Sequence, residues 1–189
     1  MSEFPLHSAE TAPEAARDTL AAVEADFGML PNLERTMATA PALLKTYAFG
    51  WEVFAETSLS PIAQQVVYQT VNFENECTYC VPWHTLLCRH AGMAEADVHA
   101  LRAGAALSDP KLEALRRFTQ AVVRCQGKIA QADRDAFLAA GWSAQTALEV
   151  VLGIAIKVMS NYTNAMAGTP HDAAVAELAW TKPVIKPAP

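Results

Sequence analysis

The sequence contains few charged residues and no cluster of basic ones. Charged residues make up 18% of the 189 residues, and the formal net charge is -6. A nucleic-acid surface needs concentrated lysine and arginine to displace counterions from phosphates, so we expect no nucleic-acid partner. Long apolar runs are absent as well. The longest, near residues 147–158, is too short to span a bilayer and contains Glu149 and Lys157, so we expect no membrane partner.

Cysteine is also scarce, but its distribution is uneven. Of the four cysteines, Cys77, Cys80 and Cys88 fall within twelve residues, and Cys125 stands apart. Residues 1–12 are polar and acidic and lack the apolar segment of a secretory signal, which predicts a cytoplasmic location. Thiols in a reducing cytoplasm are not expected to form permanent disulfides. The cluster therefore predicts chemistry, whereas Cys88 and Cys125 are expected to pack in the core.

The pattern of apolar residues predicts helices. No stretch alternates between apolar and polar residues as a strand does, and alanine is abundant. Hydrophobic residues make up 52% of the chain, and no linker separates two halves. We therefore predict a single all-α domain over residues 1–189, with about eight or nine helices. The proline-rich residues 181–189 are expected to form an extended tail.

Prolines, glycines and short polar residues set the predicted helix boundaries. Ser60-Pro61 and Asp109-Pro110 each pair a capping side chain with a proline in the first helical turn. Pro82 places another helix start near Cys80, and Gly92 is the predicted left-handed residue after that helix. We expect helices over residues 13–27, 42–56, 61–74, 80–90, 94–103, 110–125, 131–140 and 144–166, a short one starting at Leu33 after an Asn32 cap, and a last one whose capping box is Thr169-Pro170-His171-Asp172.

The most informative motif is Cys77-Thr78-Tyr79-Cys80, with His84 four residues after the second cysteine. The spacing lets the two sulfur atoms approach within bonding distance across one helical turn. At a helix start, unpaired N–H groups and the positive end of the helix dipole favour the thiolate, and such motifs lower cysteine pKa values from ~8.5 to about 3.5–7.5. His84 lies on the same helical face as Cys80 and can take up a thiol proton or pair with the thiolate. The motif therefore predicts thiol-based redox chemistry.

These residues resemble the core of a known superfamily. A helix opened by Ser60-Pro61, followed by Cys77-x-x-Cys80-x-x-x-His84 and Gly92, is similar to the alkylhydroperoxidase D / carboxymuconolactone decarboxylase superfamily. Gly28-x-x-Pro31-Asn32 upstream resembles its peroxidase-related branch, as do Gly141 and Asn161-Tyr162-x-Asn164 downstream. The resemblance covers most of residues 28–172. It implies an alkylhydroperoxidase D-like helical bundle with its redox core at about residues 60–92.

The resemblance also implies an activity, that of an antioxidant thiol peroxidase acting on hydroperoxides. Cys80, the cysteine nearer the histidine, would attack the peroxide and become a sulfenic acid, and Cys77 would resolve it as a disulfide. An external dithiol reductant would then restore both thiols. Members are commonly homo-oligomers, so a dimer, trimer or hexamer is implied. The prediction includes no cofactor and no metal.

One position departs from the superfamily pattern. Better-characterised members carry a glutamate twelve residues before the first cysteine, where it starts a proton relay through the histidine. This chain has Gln65 there, which forms hydrogen bonds but takes up no proton. The relay is then broken, shortened to the histidine alone, or rebuilt from Glu74 or Glu76, and Tyr79 stands where many members have a histidine. The candidate catalytic residues are Cys80, Cys77, His84, Gln65 and Glu74.

Other interpretations of the motif stay open. A redox sensor or thiol–disulfide exchange protein would use the same cysteine pair with little peroxide turnover. A non-redox decarboxylase-type enzyme would need a general acid–base group and no second cysteine. A zinc site would use the C-x-x-C pair as one metal knuckle, although the sequence offers no second knuckle. The two cysteines can also be small buried residues with no chemical role.

Overall fold

The structure is a computed structural model that describes residues 3–184 of the chain. Within this range the chain forms nine α-helices and one 3-10 helix and contains no strand, which confirms the all-α prediction. The helices are α1 (Glu14–Phe27), α2 (Asn32–Met37), α3 (Pro41–Ala55), α4 (Pro61–Glu74), α5 (Cys80–His90), α6 (Glu95–Ala103), α7 (Pro110–Arg124), α8 (Gln131–Ala139) and α9 (Ala144–Ala167), followed by the 3-10 helix (Ala173–Leu178).

Three of the predicted caps define helix boundaries. The Ser60 hydroxyl accepts a hydrogen bond from the Ala63 N–H at 3.3 Å, so α4 starts where the serine–proline pair predicted. The Asp109 carboxylate accepts from the Lys111 N–H at 2.7 Å at the start of α7. Helix α5 covers the predicted residues 80–90, and Gly92 has φ +81°, the left-handed conformation predicted for it.

Two predicted caps are wrong. Helix α2 starts at Asn32 itself, whose side-chain Nδ2 donates to the Pro170 carbonyl at 3.2 Å instead of capping. The predicted capping box at residues 169–172 does not form, because the Thr169 hydroxyl has no hydrogen-bond partner within the described residues. Asp172 precedes the 3-10 helix without capping it, and its carboxylate binds groups on distant helices. In both cases a contact between remote parts of the chain replaces the local one.

Helix α4 is the centre of the bundle. It packs against α5, α7 and α9 and is buried along its whole length from Gln65 to Phe73. Its polar side chains therefore need partners inside the protein. Gln69 Nε2 donates to the Val81 carbonyl at 3.1 Å, and the Thr70 hydroxyl donates to the Val66 carbonyl at 2.7 Å. The first bond joins α4 to the start of α5, where the cysteine motif lies, and the second lies within α4.

Helix α9 completes the surroundings of that motif. Its 24 residues pack against α2, α3 and α4, so its second half lies beside the start of α5.

No single helix among the described residues is long and apolar enough to cross a membrane, and one sharply bent pair, α8 with α9, passes that test by length and composition only. Of the predicted extended tail, residues 181–184 form neither helix nor strand, and residues 185–189 lie outside the described residues.

Candidate functional site

The two cysteines of the motif form a disulfide at the start of α5. Their Cα atoms are 5.3 Å apart, within the usual range for a disulfide. Pro82 lies in the first turn of α5, where a missing N–H removes no helical hydrogen bond. Only 6% of Cys77 and 2% of Cys80 are exposed. The two cysteines are thus held together, largely shielded from water, in a geometry that permits reversible two-electron oxidation of their thiols to the disulfide.

Two asparagines of α9 donate hydrogen bonds to the Cys80 sulfur. The distances to Sγ are 3.1 Å from Asn161 Nδ2 and 3.3 Å from Asn164 Nδ2. The Asn161 amide is fixed in this orientation because its Oδ1 accepts from Asn75, while its Nδ2 also donates to Asn72. N–H donors stabilise a thiolate more than a thiol. When the disulfide is reduced, these asparagines therefore favour the nucleophilic form of Cys80.

Cys80 also lines a narrow cavity between α2, α3, α5 and α9. The cavity volume is about 30 Å³, which is room for one or two water-sized molecules. Its aromatic wall consists of Phe27, Tyr47, Trp51, Tyr79 and Trp83. Its ionisable side chains, apart from the tyrosines and the cysteine, are Glu34, His84 and Lys157. The Cys80 sulfur therefore faces a mostly apolar space that contains three groups able to hold or move a proton.

Both ring nitrogens of the buried His84 are hydrogen-bonded. Gln65 Oε1 lies 2.8 Å from Nδ1, and Lys157 Nζ lies 2.8 Å from Nε2. Because the amide oxygen of Gln65 is an acceptor, Nδ1 carries the ring proton and Nε2 accepts from Lys157. Burial, and then the charge of Lys157, lower the pKa of His84 well below its ordinary value. His84 is therefore a neutral imidazole, so the cation beside it is Lys157.

Lys157 and Glu34 are buried ionisable groups on the same cavity. Lys157 is 1% exposed and Glu34 is 7% exposed. Burial lowers the pKa of Lys157 to about 7, against the opposing effect of the Glu34 charge. Burial raises the pKa of Glu34 to about 7, and among the nearby charges Asp172 raises it further while Lys157 lowers it. Both side chains thus change charge near neutral pH.

Asp172 fixes the segment between the cysteines from the far end of the chain. Its Oδ2 accepts hydrogen bonds from the Tyr79 hydroxyl and, at 2.9 Å, from Trp83 Nε1. Its Oδ1 accepts from the Asn32 N–H at 3.0 Å, and the Leu33 N–H donates to the Tyr79 oxygen at 3.1 Å. The start of α5 and the start of α2 are therefore joined through one carboxylate, which positions two aromatic walls of the cavity.

The two glutamates predicted as possible relay residues make contacts away from the cysteines and the histidine. Glu74 accepts from Gln120 at 2.6 Å and forms a salt bridge with Arg124 at 2.7 Å, both on α7. Glu76 forms a salt bridge with Lys182 at 3.2 Å. Neither carboxylate hydrogen-bonds a cysteine sulfur or the imidazole within the described residues. Of the candidate relay residues, the structure brings Gln65 to the imidazole and holds Glu74 against α7.

The two remaining cysteines differ from each other. Cys88 is fully buried, as predicted, and burial raises the pKa of its thiol to about 12. Cys125 was predicted to pack in the core, and this is wrong: it is exposed, because it follows the last residue of α7 where the chain turns into solvent. In the part of the chain that the structure describes, no group of three or more His, Cys, Asp or Glu side chains could hold a metal ion.

The sequence patterns did not predict Glu34, Lys157 or Asp172 as site residues. A signal existed for Lys157, since it is the only lysine in the apolar stretch 147–158 and a lone charge in a buried helix face needs a partner. Asp172 was assigned to a local cap. Glu34 lies in a six-residue helix and gives no local signal of burial. All three gain their roles from contacts with distant residues.

The fold and the site together define an all-helical protein with a C-x-x-C disulfide at a helix start, beside a buried cavity that contains a histidine. Residues 41–121, from α3 into α7, match the model of the carboxymuconolactone decarboxylase family. The matched region includes both cysteines and His84. This match supports the resemblance to the alkylhydroperoxidase D / carboxymuconolactone decarboxylase superfamily seen in the sequence. No curated protein matches the chain in sequence.

Solved structures share this fold along nearly the whole chain. The alkylhydroperoxidase AhpD core of a peroxidase-related protein from Ralstonia eutropha JMP134 superposes with a TM-score of 0.81 at 18% identity, over 92% of this chain and 94% of that one. A peroxidase-related protein from Silicibacter sp. TM1040 has a TM-score of 0.76 at 17% identity, over 92% of each chain. The debrominase Bmp8, as a cysteine-to-alanine variant in complex with 2,3,4-tribromopyrrole, has a TM-score of 0.76 at 17% identity, over 94% of this chain and 95% of that one.

Proposed function

We propose that this protein is a thiol-dependent peroxidase that reduces small hydroperoxides through a dithiol/disulfide cycle of Cys77 and Cys80. The observation that carries the proposal is the position of the pair. The two cysteines form a disulfide at the start of α5, and Cys80 lines a cavity that also contains His84 and Lys157. The family-model match over residues 41–121 and the fold shared with an alkylhydroperoxidase AhpD core support this choice.

Cys80 is the cysteine that attacks the peroxide. Its sulfur lines the narrow cavity, and in the reduced protein it is stabilised as a thiolate by Asn161, Asn164 and the start of α5. The thiolate forms a bond to one peroxide oxygen while the O–O bond breaks. The other oxygen leaves as an alkoxide or hydroxide and takes a proton to become an alcohol or water. The thiolate is oxidised by two electrons to a sulfenic acid.

Cys77 resolves the sulfenic acid. Its thiol attacks the Cys80 sulfur, the S–O bond breaks, and the hydroxyl group leaves as water after taking up the thiol proton. The product is the Cys77–Cys80 disulfide of the structure. The three-residue spacing and the rigid junction between α4 and α5 keep the two sulfurs adjacent, so resolution needs no large rearrangement.

An external dithiol closes the cycle by attacking Cys77. This cysteine borders a second, larger surface cavity of about 310 Å³, whose rim includes the exposed residues Glu76, Thr78 and Ala165. Attack at Cys77 expels Cys80 as the leaving thiolate, which the two asparagines stabilise. Disulfide exchange is faster when the leaving thiolate is more stable. The peroxide and the reductant would therefore approach the same disulfide from different cavities.

The size of the narrow cavity favours small substrates. A volume of about 30 Å³ accommodates hydrogen peroxide or the O–O end of a small alkyl hydroperoxide. The debrominase among the structural neighbours was solved in complex with 2,3,4-tribromopyrrole, a ring larger than the one or two water-sized molecules that the narrow cavity holds. Phe27 and Trp83 line this cavity and pack edge to face with centroids 6.2 Å apart. We therefore propose a hydroperoxide rather than a halogenated ring.

Cysteine variants test the proposal. With the protein reduced and a dithiol supplied, we expect Cys80→Ser to abolish peroxide consumption, because it removes the nucleophile. We expect Cys77→Ser to react once with peroxide and then stop as a sulfenic acid, which dimedone traps for mass spectrometry. Cys125→Ser is the matched control, since that thiol is exposed and distant in sequence from the pair. Wild-type turnover in the Cys80→Ser variant would contradict the proposal.

The same assay separates the alternatives. A redox sensor or exchange protein would form one disulfide per chain with peroxide, but it would consume no more peroxide when excess dithiol is added. A decarboxylase-type enzyme would keep its activity after both thiols are alkylated. Repeated turnover that depends on the dithiol distinguishes the peroxidase from both.

Two further expectations complete the proposal. The cycle depends on a supply of dithiol, which is available in a reducing cytoplasm, so we place the protein there.

We also propose that the protein forms a homo-oligomer, as the superfamily resemblance implies. The exposed apolar side chains Leu148, Val151, Tyr162 and Met166 along α9 are suitable contacts for a second copy. Light scattering coupled to size exclusion measures the subunit number, and a monomer at micromolar concentration would contradict this part.

A further inference from the structure

We propose that Lys157, held against the ring of His84, is the proton donor to the leaving oxygen in the peroxide step, and that Glu34 resupplies its proton. The inference rests on the proposed peroxidase function and deepens it. In this chain the imidazole would be a positioning residue, and the lysine would perform the proton transfer that the superfamily pattern assigns to a glutamate and a histidine.

The first observation is the arrangement of Gln65, His84 and Lys157 as one hydrogen-bonded series. Gln65 orients the imidazole from Nδ1, and the ring accepts from Lys157 Nζ at Nε2, both at 2.8 Å. With Nδ1–H donated to the amide oxygen, the ring has no second proton to give. The lysine ammonium has three N–H donors and uses one of them on the imidazole. Within the described residues the remaining donors make no other hydrogen bond, so they can serve the cavity that Lys157 and Cys80 both line.

The second observation is the burial of a lysine whose cation the surrounding aromatic rings stabilise only in part. Nζ lies 5.9 Å from the centroid of Trp51 and 5.5 Å from that of Tyr68, so both ring faces favour the charged form. No carboxylate forms a salt bridge with Lys157 among the described residues. Burial lowers the pKa of Lys157 to about 7. A general acid is most effective when its pKa is near the working pH, so the group is suited to donating a proton there.

The third observation is the unpaired carboxylate oxygen of Glu34. Its Oε2 is buried and makes no hydrogen bond within the part of the chain that the structure describes. Buried acceptors are rarely left unpaired, so this atom is available to the cavity. Burial raises the pKa of Glu34 to about 7, which lets the carboxyl hold a proton near neutral pH and pass it on. Glu34 and Lys157 act on each other electrostatically and therefore titrate as a coupled pair.

Four titratable side chains around this pair keep a fixed charge near neutral pH: Tyr47 from α3, Tyr68 from α4, His84 from α5, and Tyr79 on the side of Glu34. The Asp172 carboxylate also lies on the side of Glu34, and the Cys80 thiol lines the same cavity. Burial raises the pKa of the three tyrosines far above neutral, and burial lowers the pKa of His84. Apart from the proton of the Cys80 thiol, the proton that moves in this cavity near neutral pH therefore belongs to Lys157 or Glu34.

The Cys80 thiolate bonds to the terminal peroxide oxygen, the O–O bond breaks, and the leaving alkoxide takes a proton from the Lys157 ammonium. The products are an alcohol, a sulfenic acid and a neutral lysine amine. The protonated carboxyl of Glu34 then returns a proton to the amine and regains its own from solvent. His84 keeps one proton throughout and holds Nζ in place.

The pH dependence of sulfur oxidation tests this role. Reduced protein is mixed with hydrogen peroxide in a stopped-flow instrument, and the tryptophan fluorescence change gives the second-order rate constant as a function of pH. For the wild type we expect the rate constant to rise as the thiol ionises and to fall as Lys157 loses its proton. Lys157→Met should lower the rate constant at neutral pH by at least about tenfold and remove the falling part of the profile. Lys128→Met, on an exposed lysine, is the matched control and should leave the profile unchanged.

Two more variants separate proton donation from charge and from structure. Lys157→Arg keeps a cation but does not release its proton near neutral pH, so its rate constant should stay low. Recovery to the wild-type rate in this variant would overturn the proposal, because charge alone would then suffice. Glu34→Gln removes the carboxylate that raises the pKa of Lys157, so the falling part of the profile should move to lower pH. A residue with only a structural role would not shift the pH profile of the rate constant.

The failures of the two proposals are distinguishable. Wild-type protein that forms no disulfide with peroxide would contradict the peroxidase function itself. A reactive wild type whose Lys157→Met variant keeps the same rate constant and the same pH profile would contradict only the role of the lysine. Circular dichroism of each variant establishes that it is folded, and the Glu34→Gln profile still tests the inference if the Lys157→Met variant does not fold.

Discussion

The carboxylate of Asp172 accepts a hydrogen bond from the hydroxyl of Tyr79, although 93 positions separate the two residues in the sequence. Tyr79 lies between the two cysteines, and Trp83 in the first turn of α5 donates to the same carboxylate oxygen. The segment after α9 therefore helps to fix the start of α5. A change at Asp172 is expected to affect both the stability of the protein and the geometry of the cysteine pair.

Asp172→Ala should destabilise the protein by about 2–4 kcal/mol. The substitution leaves the Tyr79 hydroxyl, the Trp83 indole N–H and the Asn32 N–H without their acceptor, and each buried unpaired donor costs about 1–3 kcal/mol, with partial relief from water. Urea denaturation followed by circular dichroism measures the change. Asp18→Ala, an exposed position on α1, is the control and should change the free energy of unfolding by less than about 0.5 kcal/mol. Equal effects of the two substitutions would mean that the Asp172 contacts contribute little.

Gly104 has a close contact that explains its residue type. It follows α6 with φ +68°, and a Cβ atom added there would lie 2.3 Å from Cζ of Phe73. Gly104→Ala should therefore cost about 1 kcal/mol for the left-handed backbone and more for displacing the buried ring, about 2–4 kcal/mol in total. Gly127 has φ +80° and nothing within 4 Å of its added Cβ, so Gly127→Ala isolates the backbone cost at about 1 kcal/mol. Thermal unfolding of both variants measures the difference in their stability, and Gly127→Ala should be the more stable variant.

Most of the fold could be predicted from the sequence because its helix boundaries depend on local chemistry. Ser60 and Asp109 cap their own helices, Pro82 lies in the first turn of α5, and Gly92 ends it. Each of these signals acts over four residues or fewer. The predicted capping box at residues 169–172 failed because the carboxylate of Asp172 binds three distant donors instead of the adjacent N–H groups.

The candidate site could be predicted only in the part that is local in sequence. Cys77, Cys80 and His84 lie within eight residues, so their spacing on one helix start was sufficient to group them. Lys157 is 73 positions from His84, and no local pattern pairs the two. Its burial depends on how α9 packs against α3 and α4. The apolar character of residues 147–158 indicates that the helix is buried, but it does not show which of its residues face the site. Glu34 could not be predicted for the same reason.

Gln65→Glu should change the protonation state of His84. A carboxylate 2.8 Å from Nδ1 would stabilise the imidazolium and so raise the pKa of His84, whereas the amide in the wild type leaves the ring neutral. The second ring proton would lie on Nε2 and face Lys157, so the lysine would be driven to its neutral form. Nitrogen-15 NMR of labelled histidine distinguishes the neutral Nδ1–H ring from the doubly protonated ring.

The control for this measurement is Gln131→Glu on the exposed start of α8, which should leave the His84 signals unchanged. We expect the Gln65→Glu variant to show a doubly protonated ring at a pH where the wild type shows one ring proton. An unchanged neutral ring in the variant would mean that Lys157 determines the state of the imidazole regardless of residue 65.

Lys157 and Glu34 should make stability depend on pH in opposite directions. The pKa of Lys157 falls from 10.5 to about 7 on folding, so between these values the unfolded chain binds more protons and the fold gains stability as the pH rises. The pKa of Glu34 rises from 4.5 to about 7 on folding, so over that range the folded chain binds more protons and the fold loses stability as the pH rises. The two costs of burial are therefore present together near pH 7.

Lys157→Met should make the protein more stable near neutral pH by about 1–3 kcal/mol, because an apolar side chain replaces a buried charge. The gain should be largest below pH 7 and shrink towards pH 10, whereas the gain from Glu34→Gln should persist at high pH and disappear towards pH 4.5. Urea denaturation at a series of pH values measures both. A lower stability of Lys157→Met at pH 6 would mean that the lysine serves packing. Higher stability combined with a slower reaction with peroxide would mean that the buried lysine is maintained for chemistry at the expense of stability.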